Sequence, residues 1–184
     1  ALRNPDLLRP PRPVPEEKHV PSFAILYDEK SIIAPSTTET MEKLEKVAAR
    51  MGVHARRIGM NDMARLAEYD ALFIRAYTGV TTPAFQFALR AEALGKPVAD
   101  DTQSIIRCSN KVFLHELLTR EGVPTPRTMV VTPHTPFRAL EPLGLPCVVK
   151  LPDGAFSAAV HKVVTKADYA RHTQVTVILV RHGV

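Results

Sequence analysis

A lysine followed by a run of small residues is the feature of this sequence best suited to chemistry. Lys150 lies near the end of an apolar segment, residues 147–151, and a turn-rich loop, residues 152–158, comes next. A loop with little side-chain bulk can fold its amide N–H groups over phosphate oxygens, and a lysine on the strand beside it supplies a fixed positive charge. The spacing alone leaves a second interpretation open, a hairpin whose lysine extends from the strand end into solvent.

Charged residues also follow two other apolar segments. Arg75 ends the segment 71–75, where it could hold a substrate carboxylate in a bidentate pair or form an ion pair with a structural acid such as Asp100. Asp100 and Asp101 follow the segment 97–99. We predict that these two carboxylates cap the turn after that segment rather than take part in catalysis.

Common nucleotide-binding and catalytic patterns are absent from the sequence. It contains neither G-x-x-x-x-G-K-[ST] nor G-x-G-x-x-G, which argues against a Walker-type NTPase and against a nicotinamide-binding Rossmann enzyme. The seven histidines are dispersed, without an H-E-x-x-H motif, and no serine lies in a nucleophile elbow. The sequence therefore argues against metal-hydrolase and serine-hydrolase chemistry, and we predict no metal ligands within it.

Strands and helices alternate in the predicted structure of residues 22–103. The predicted strands are residues 22–27, 53–58, 71–75 and 97–99. Helices are predicted to begin at the Ser36–Glu39 capping box, at Asn61 and at Thr82–Pro83, with Gly52 and Gly95 as helix ends. This rhythm predicts an α/β fold, a small doubly wound parallel sheet whose ligands lie beyond the carboxyl ends of its strands.

Residues 104–184 follow a different pattern, which predicts an α+β unit. An amphipathic helix is predicted from Ser109 to Gly122, with a buried face formed by Val112, Leu114, Leu117 and Leu118. Strands are predicted over residues 127–132, 147–151, 159–164 and 175–181, with a short helix between the first two. The last strand is apolar and is predicted to have an unpaired edge. Residues 1–21 hold six of the 16 prolines and are predicted to form an extended lead-in.

Three stretches, taken in order, resemble the RimK-type group of the ATP-grasp superfamily, amino-acid and peptide ligases that include the glutathione synthetases. They are EYDALFIR at residues 68–75, DDTQSIIRCSNKVFLHELL at residues 100–118 and LPDGAFS at residues 151–157. The resemblance extends from about Ser22 to Asp168. It implies a pre-ATP-grasp domain over residues 22–103 and an incomplete first ATP-grasp subdomain over residues 104–184. It also implies an ATP site formed by Lys111, Lys150, Asp153, Gly154, Ala155, Phe156 and Ser157.

The family chemistry that the resemblance implies is carboxylate activation. ATP phosphorylates a carboxylate, and an amine then attacks the acyl phosphate to form an amide, with Mg²⁺ as the second cofactor. The implied partners are a nucleotide and an amino-acid or peptide substrate. Ala159 stands where the family usually has a glycine just before Val160, so the loop is expected to close less well.

The family's metal-binding Glu and Asn lie further along the chain than Val184. We therefore expect a fragment that binds ATP weakly or not at all and that catalyses no ligation alone. Its partner would be a second copy or a missing C-terminal half. The alternative is a non-catalytic α/β interaction or regulatory module.

Composition limits the remaining classes of function. The net charge is +5 with a pI near 9.4, but the Lys and Arg residues are scattered and Trp is absent, which argues against sequence-reading nucleic-acid binding. A basic patch for RNA stays open as a third interpretation, with a steep salt dependence as its signature. No apolar run approaches the roughly 18 residues of a membrane span, so we expect a cytoplasmic protein. Cys108 and Cys147 are predicted to be buried small hydrophobic side chains.

Overall fold

The computed structural model describes residues 19–31, 34–155 and 159–181. Phe156 and Ser157 of the predicted ATP site, and residues 1–18 of the predicted lead-in, lie outside the described residues. The described chain forms two four-stranded sheets, one parallel and one antiparallel. None of its described helices combines the length and the apolarity needed to cross a bilayer.

The parallel sheet has the strand order β2-β1-β3-β4. Its strands are β1 (Ser22–Tyr27), β2 (His54–Ile58), β3 (Ala71–Arg75) and β4 (Val98–Ala99). β1 lies in the middle, with Ile25 opposite both Arg57 and Phe73. A strand covered on both faces must be apolar along its whole length, which explains the continuous run from Phe23 to Tyr27. The predicted doubly wound parallel α/β fold is confirmed.

Two α-helices and one 3-10 helix cover the faces of the parallel sheet. These are α1 (Thr38–Arg50), the 3-10 helix Met63–Glu68 and α2 (Pro83–Ala93). The predicted helix starts were wrong by one residue in two cases. Thr37, not Ser36, caps α1 by accepting a hydrogen bond from the Thr40 N–H. Asp62, not Asn61, precedes the 3-10 helix, and its carboxylate accepts from the Gly59 N–H at 2.7 Å.

The carboxyl end of β4 leads into two consecutive helices, of which the sequence predicted only the second. The pair consists of α3 (Thr102–Ser109) and α4 (Lys111–Arg120). Asp101 caps α3 by accepting from the Ser104 N–H at 2.8 Å and the Ser104 hydroxyl at 2.6 Å. These hydrogen bonds hold the pKa of Asp101 below its ordinary value. The capping role predicted for the carboxylates thus holds for Asp101, but the element capped is a helix.

The predicted buried face of α4 was wrong. Its four apolar residues, Val112, Leu114, Leu117 and Leu118, are only half-buried, and no residue of α4 is fully buried. The reason is that α4 contacts chiefly the short helix α3 rather than the face of a sheet. Helical periodicity identifies an apolar stripe but does not determine what covers it.

The antiparallel sheet has the order β5-β8-β6-β7. Its strands are β5 (Arg127–Val131), β6 (Cys147–Lys150), β7 (His161–Val163) and β8 (Val177–Arg181). The prediction of an unpaired edge on the last strand was wrong, because β8 lies between β5 and β6 and pairs with both. Val177, Ile178 and Val180 are accordingly buried.

Besides α3, one further helix was not predicted from the sequence. It is α5 (Lys166–His172), which begins with a capping box: Thr165 accepts from the Asp168 N–H, and Asp168 accepts from the Thr165 N–H at 2.9 Å. The helix contributes Tyr169 to the core on one face of the antiparallel sheet, together with Val149, Val163 and Val177. The sequence Thr-Lys-Ala-Asp at residues 165–168 could have predicted the start of this helix.

The prediction for the two cysteines was half right. Cys147 is buried in the core of the antiparallel sheet, and burial raises the pKa of its thiol. Cys108 is exposed. α3 buries Thr102 and Ile105, and at about 100° per residue Cys108 projects beside that face, into the cleft described below.

Gly144 has a left-handed backbone, with φ +78°. An added Cβ there would collide with the guanidinium of Arg181, whose Nη1 donates to the Leu143 carbonyl at 3.1 Å. We expect Gly144→Ala to lower the free energy of unfolding by about 2–3 kcal/mol, from backbone strain and the displaced hydrogen bond.

Gly122→Ala is the matched control for this prediction. Gly122 has φ +69° with no atom within 4 Å of the added Cβ, so it carries the backbone cost alone, about 1–2 kcal/mol. Urea unfolding of both variants measures the difference. Equal losses of stability would show that the Arg181 contact contributes nothing.

Candidate functional site

A cleft of about 820 Å³ opens at the carboxyl ends of the parallel strands. One wall is the segment 74–82 that follows β3, and the other includes Lys111 and Leu114 of α4 and the turn Asp153–Ala155 after β6. This is the position at which ligands bind in open parallel sheets. Of the residues predicted to form sites, Arg75, Lys111, Asp153, Gly154 and Ala155 all line this one cleft.

Lys111 is the first residue of α4, and it is bound to the turn after β6 by both its main chain and its side chain. Its N–H donates to the Pro152 carbonyl at 2.9 Å. Its ammonium donates to the same carbonyl at 3.3 Å and to the Gly154 carbonyl. These contacts fix the direction of the side chain toward the cleft.

The electrostatic surroundings of Lys111 disfavour its positive charge. Burial lowers the pKa of its ammonium, the positive charge of Lys150 lowers this pKa further, and Asp153 acts in the opposite direction. Two ammonium groups are therefore close enough to repel each other. A bound anion between them would offset this repulsion and favour the charged form of Lys111.

Lys150 ends β6 on the sheet face opposite the core. Cys147 and Val149 of the same strand belong to that core, and side chains alternate along a strand, so Val148 and Lys150 face the other way. The Lys150 ammonium has no hydrogen bond or ion pair with any residue that the structure describes, although its main chain pairs with Ile178 of β8. It is also not among the residues that line the cleft, so it acts on the cleft through its charge on Lys111.

Arg75 is held by the segment that precedes α1. Its guanidinium donates to the Pro35 carbonyl at 3.0 Å and to the Ser36 hydroxyl, with a 3.0 Å bond from Nε. The alternative ion pair with Asp100 does not occur among the described residues. Arg75 is therefore a fixed cation in the wall of the cleft, and its role toward a substrate stays a prediction.

Two contacts at the turn were not foreseen from the sequence. Asn110 donates from Nδ2 to the Asp153 carboxylate at 2.8 Å, and the Tyr77 hydroxyl donates to the Asp153 carbonyl at 3.4 Å. Asn110 could have been found, since Asn is among the best N-cap residues and stands directly before Lys111. Nothing in the sequence pointed to Tyr77, because its contact joins residues 76 positions apart.

Ala159 has the left-handed backbone expected of a glycine at this position, with φ +54°. An alanine in this region is strained by about 1–2 kcal/mol. We therefore expect Ala159→Gly to raise the free energy of unfolding by about 1 kcal/mol, part of the relief being offset by the greater freedom of glycine in the unfolded chain.

Ala155→Gly provides the control for Ala159. The same substitution four residues earlier, where φ is not positive, should destabilise the protein by about 0.5–1 kcal/mol. Thermal or urea unfolding of the two variants should thus give shifts of opposite sign. Shifts of the same sign would contradict the strain at Ala159.

The cleft provides cationic groups that can bind phosphate. Lys111 supplies a directed ammonium and Lys150 a second cation close to it. No three His, Cys, Asp or Glu side chains within the described part of the chain are grouped so that they could hold a metal ion. The arrangement therefore fits the phosphate groups of a nucleotide, and we assign no ligand of Mg²⁺ to it.

Comparison with known proteins gives similarity over part of the sequence and most of the fold. No protein-family model matches the sequence. Over 80 residues it is 38% identical to the alpha-aminoadipate–LysW ligase LysX of Saccharolobus solfataricus. This match covers 42% of this chain and 27% of the relative.

Two solved structures share the fold with a TM-score of 0.67 and 17% identity. One is the D-alanine–D-alanine ligase from Bacillus anthracis complexed with ATP, where the match covers 90% of this chain and 58% of the ligase. The other is a RimK domain ATP-grasp protein from Sphaerobacter thermophilus, with 89% and 64% covered.

The chain thus spans less than two thirds of the length of the relatives it matches. At this low identity the two structures show its fold, and the similarity to LysX is a local similarity of sequence. The similarity to the ATP-grasp superfamily read from the three sequence stretches is confirmed. This chain therefore shares its fold with solved ATP-grasp proteins, and over 80 residues its sequence is similar to that of the ligase LysX.

Proposed function

We propose that this chain carries the phosphate-binding side of an ATP-dependent carboxylate–amine ligase of RimK type. Lys111 and Lys150 bind the phosphates, and the turn Asp153–Ala155 lies beside them. Phe156 and Ser157 extend this loop in the sequence and are proposed to belong to the same site. The pair of lysines is the observation that carries the proposal.

The lysine pair supports phosphate binding because its two charges are close together and only partly compensated. Lys111 has carbonyl oxygens as hydrogen-bond partners, and carbonyls do not neutralise an ammonium. Lys150 has no partner among the described residues. A triphosphate carries several negative charges on closely spaced oxygens, so it satisfies both ammonium groups at once.

The proposed reaction is the joining of a carboxylate to an amine. When bound, ATP supplies the phosphoryl group that converts the carboxylate into an acyl phosphate, which the amine converts into an amide. The two lysines would orient the phosphates and stabilise the negative charge that develops on them. Mg²⁺ is the proposed second cofactor, and no described residue is assigned to it.

An amino-acid or peptide carboxylate is the proposed substrate class. Two of the similar proteins are named as ligases, one for alpha-aminoadipate and LysW and one for D-alanine. Arg75 supports this proposal, because a guanidinium fixed by Pro35 and Ser36 lies in the same cleft as Lys111. A planar guanidinium is well suited to hold a carboxylate.

Titrations with nucleotides that carry successively fewer phosphates test whether the two lysines form a phosphate grip, that is, whether they bind the phosphate groups. Calorimetry should give weak affinities that fall in the order ATP, ADP, AMP and adenosine, since each phosphate removed takes away negative charge that the lysines bind. Binding of adenosine as tight as that of ATP would contradict a phosphate grip. So would the absence of binding by all four compounds.

The non-catalytic module is the alternative that the same experiments address. Release of ADP from ATP, Mg²⁺ and glutamate by this chain would favour the ligase over the module. Lys111→Ala combined with Lys150→Ala should abolish ATP binding without loss of the fold. If ATP does not bind the parent chain, and the double variant has the same fold and stability as the parent, the non-catalytic module is favoured over the ligase.

A further inference from the structure

We propose that Asn110 is a positioning residue that locks the lysine-bearing end of α4 to the turn after β6 through Asp153. This inference rests on the proposed function, because it concerns how Lys111 is held in the phosphate grip. The amide oxygen of Asn110 caps α4, and its amide nitrogen binds Asp153.

The amide oxygen of Asn110 caps α4. Its Oδ1 accepts from the Val112 N–H at 3.0 Å and from the Phe113 N–H at 3.1 Å. Two main-chain donors face this atom, so it must be the oxygen, and the nitrogen must point the other way. That nitrogen, Nδ2, donates to the Asp153 carboxylate at 2.8 Å.

The result is a closed set of contacts between one helix end and one turn. Lys111 follows Asn110 directly, and its N–H and ammonium both bind the Pro152 carbonyl. The Asn110–Asp153 bond is the side chain–side chain member of this set, and it can be changed without replacing either lysine. Because the acceptor is ionised, this bond is stronger than one between neutral groups.

Exchanging the two side chains gives a direct test. In Asn110→Asp, the carboxylate still caps α4, but its second oxygen faces Asp153 and repels it. In Asp153→Asn, the new amide oxygen can still accept from Asn110. In the double variant Asn110→Asp with Asp153→Asn, the hydrogen bond forms again in the reverse direction, and the net charge equals that of the parent.

Amide hydrogen exchange in the absence of nucleotide is the deciding measurement. Asn110→Asp should speed exchange of the Lys111 amide about fivefold. Asp153→Asn should change it by less than about twofold, and the double variant should return it to within about twofold of the parent. The Val112 and Phe113 amides are internal controls, since residue 110 caps them in all four proteins.

Two outcomes would overturn the inference. One is a Lys111 amide that exchanges at the parent rate in Asn110→Asp. The other is a double variant in which exchange remains as fast as in Asn110→Asp, because independent effects would simply add.

An ATP titration of the same four proteins gives the functional consequence. Affinity should fall about fivefold in Asn110→Asp and recover in the double variant. The double variant has the net charge of the parent, which by itself can restore ATP affinity. The hydrogen-exchange rate of the Lys111 amide therefore decides the inference. A parent protein that binds no ATP would overturn the proposed function instead, and the titration records that failure separately from the exchange result.

Discussion

Replacing Lys150 by methionine is expected to weaken ATP binding by at least tenfold. Methionine keeps the length of the apolar stem but removes the ammonium, which is the charged group without a partner among the described residues. A hydrogen bond to a charged group contributes about 1.5–3 kcal/mol, or roughly 10- to 150-fold in affinity. Lys150 is a cleaner position for this test than Lys111, whose side chain also supports the turn.

Lys166→Met is the matched control for Lys150. Lys166 is an exposed lysine on α5, whose Tyr169 packs on the sheet face that holds the core, away from Lys150. The substitution makes the same change of charge, so a general electrostatic effect would weaken ATP binding in both variants. We expect a change below about twofold for Lys166→Met. An equal loss in the two variants would show that net charge, not a defined grip, attracts the nucleotide.

Phe87→Ala is expected to lower the free energy of unfolding by about 3–5 kcal/mol. Phe87 is 0% exposed and belongs to the core between α2 and the parallel sheet, with Leu72 and Ile74 of β3 in the same cluster. Truncation removes its apolar contacts and leaves a cavity that a sheet and a helix can fill only in part. Urea unfolding gives the difference in the free energy of unfolding, provided that its dependence on urea concentration has the same slope in both proteins.

Leu89→Ala on the same helix is the control for Phe87. Leu89 is 42% exposed, so its truncation should cost less than about 1 kcal/mol. Since α2 directly follows the wall segment 74–82, Phe87→Ala should also loosen that side of the cleft. A loss below about 1 kcal/mol for Phe87→Ala would contradict its place in the core.

The strands and the helix-ending glycines could be predicted because their signals are local. Buried strands such as β1 are short apolar runs, and the glycines predicted to end helices, Gly52, Gly95 and Gly122, all have positive φ. The doubly wound sheet followed from the alternation of these elements. In each case, the residues that carry the signal are also the residues that form the structure.

The position of β8 could not be predicted, because strand order depends on pairing between distant residues. The sequence shows an apolar run at residues 175–181, but not that β5 and β6 leave a gap for it. The same limit applies to α4, whose apolar stripe is covered only in part. The break between α3 and α4 lies at a single residue, Asn110, which ends one helix and caps the next.

The candidate site shows the same division between local and distant signals. Lys111 and Lys150 were identified from motifs, and the structure places Lys111 in the cleft with Lys150 acting on its charge. The contacts that orient Lys111 were not identified, because they join α4 to a turn about 40 residues away. Residue types pointed to the chemistry, but the partners of those residues required the fold.

An NMR titration of the ¹⁵N-labelled chain with ATP is the most direct test of the phosphate grip. We predict that the amide signals of Lys111, Lys150 and Gly154 shift together, with one common affinity in the millimolar range, about −4 kcal/mol. The amide of Lys166 on the far side of the antiparallel sheet should not shift. If the amide signals of these three residues do not shift up to about 10 mM ATP, while other signals do, the proposed binding of phosphate by the two lysines is contradicted.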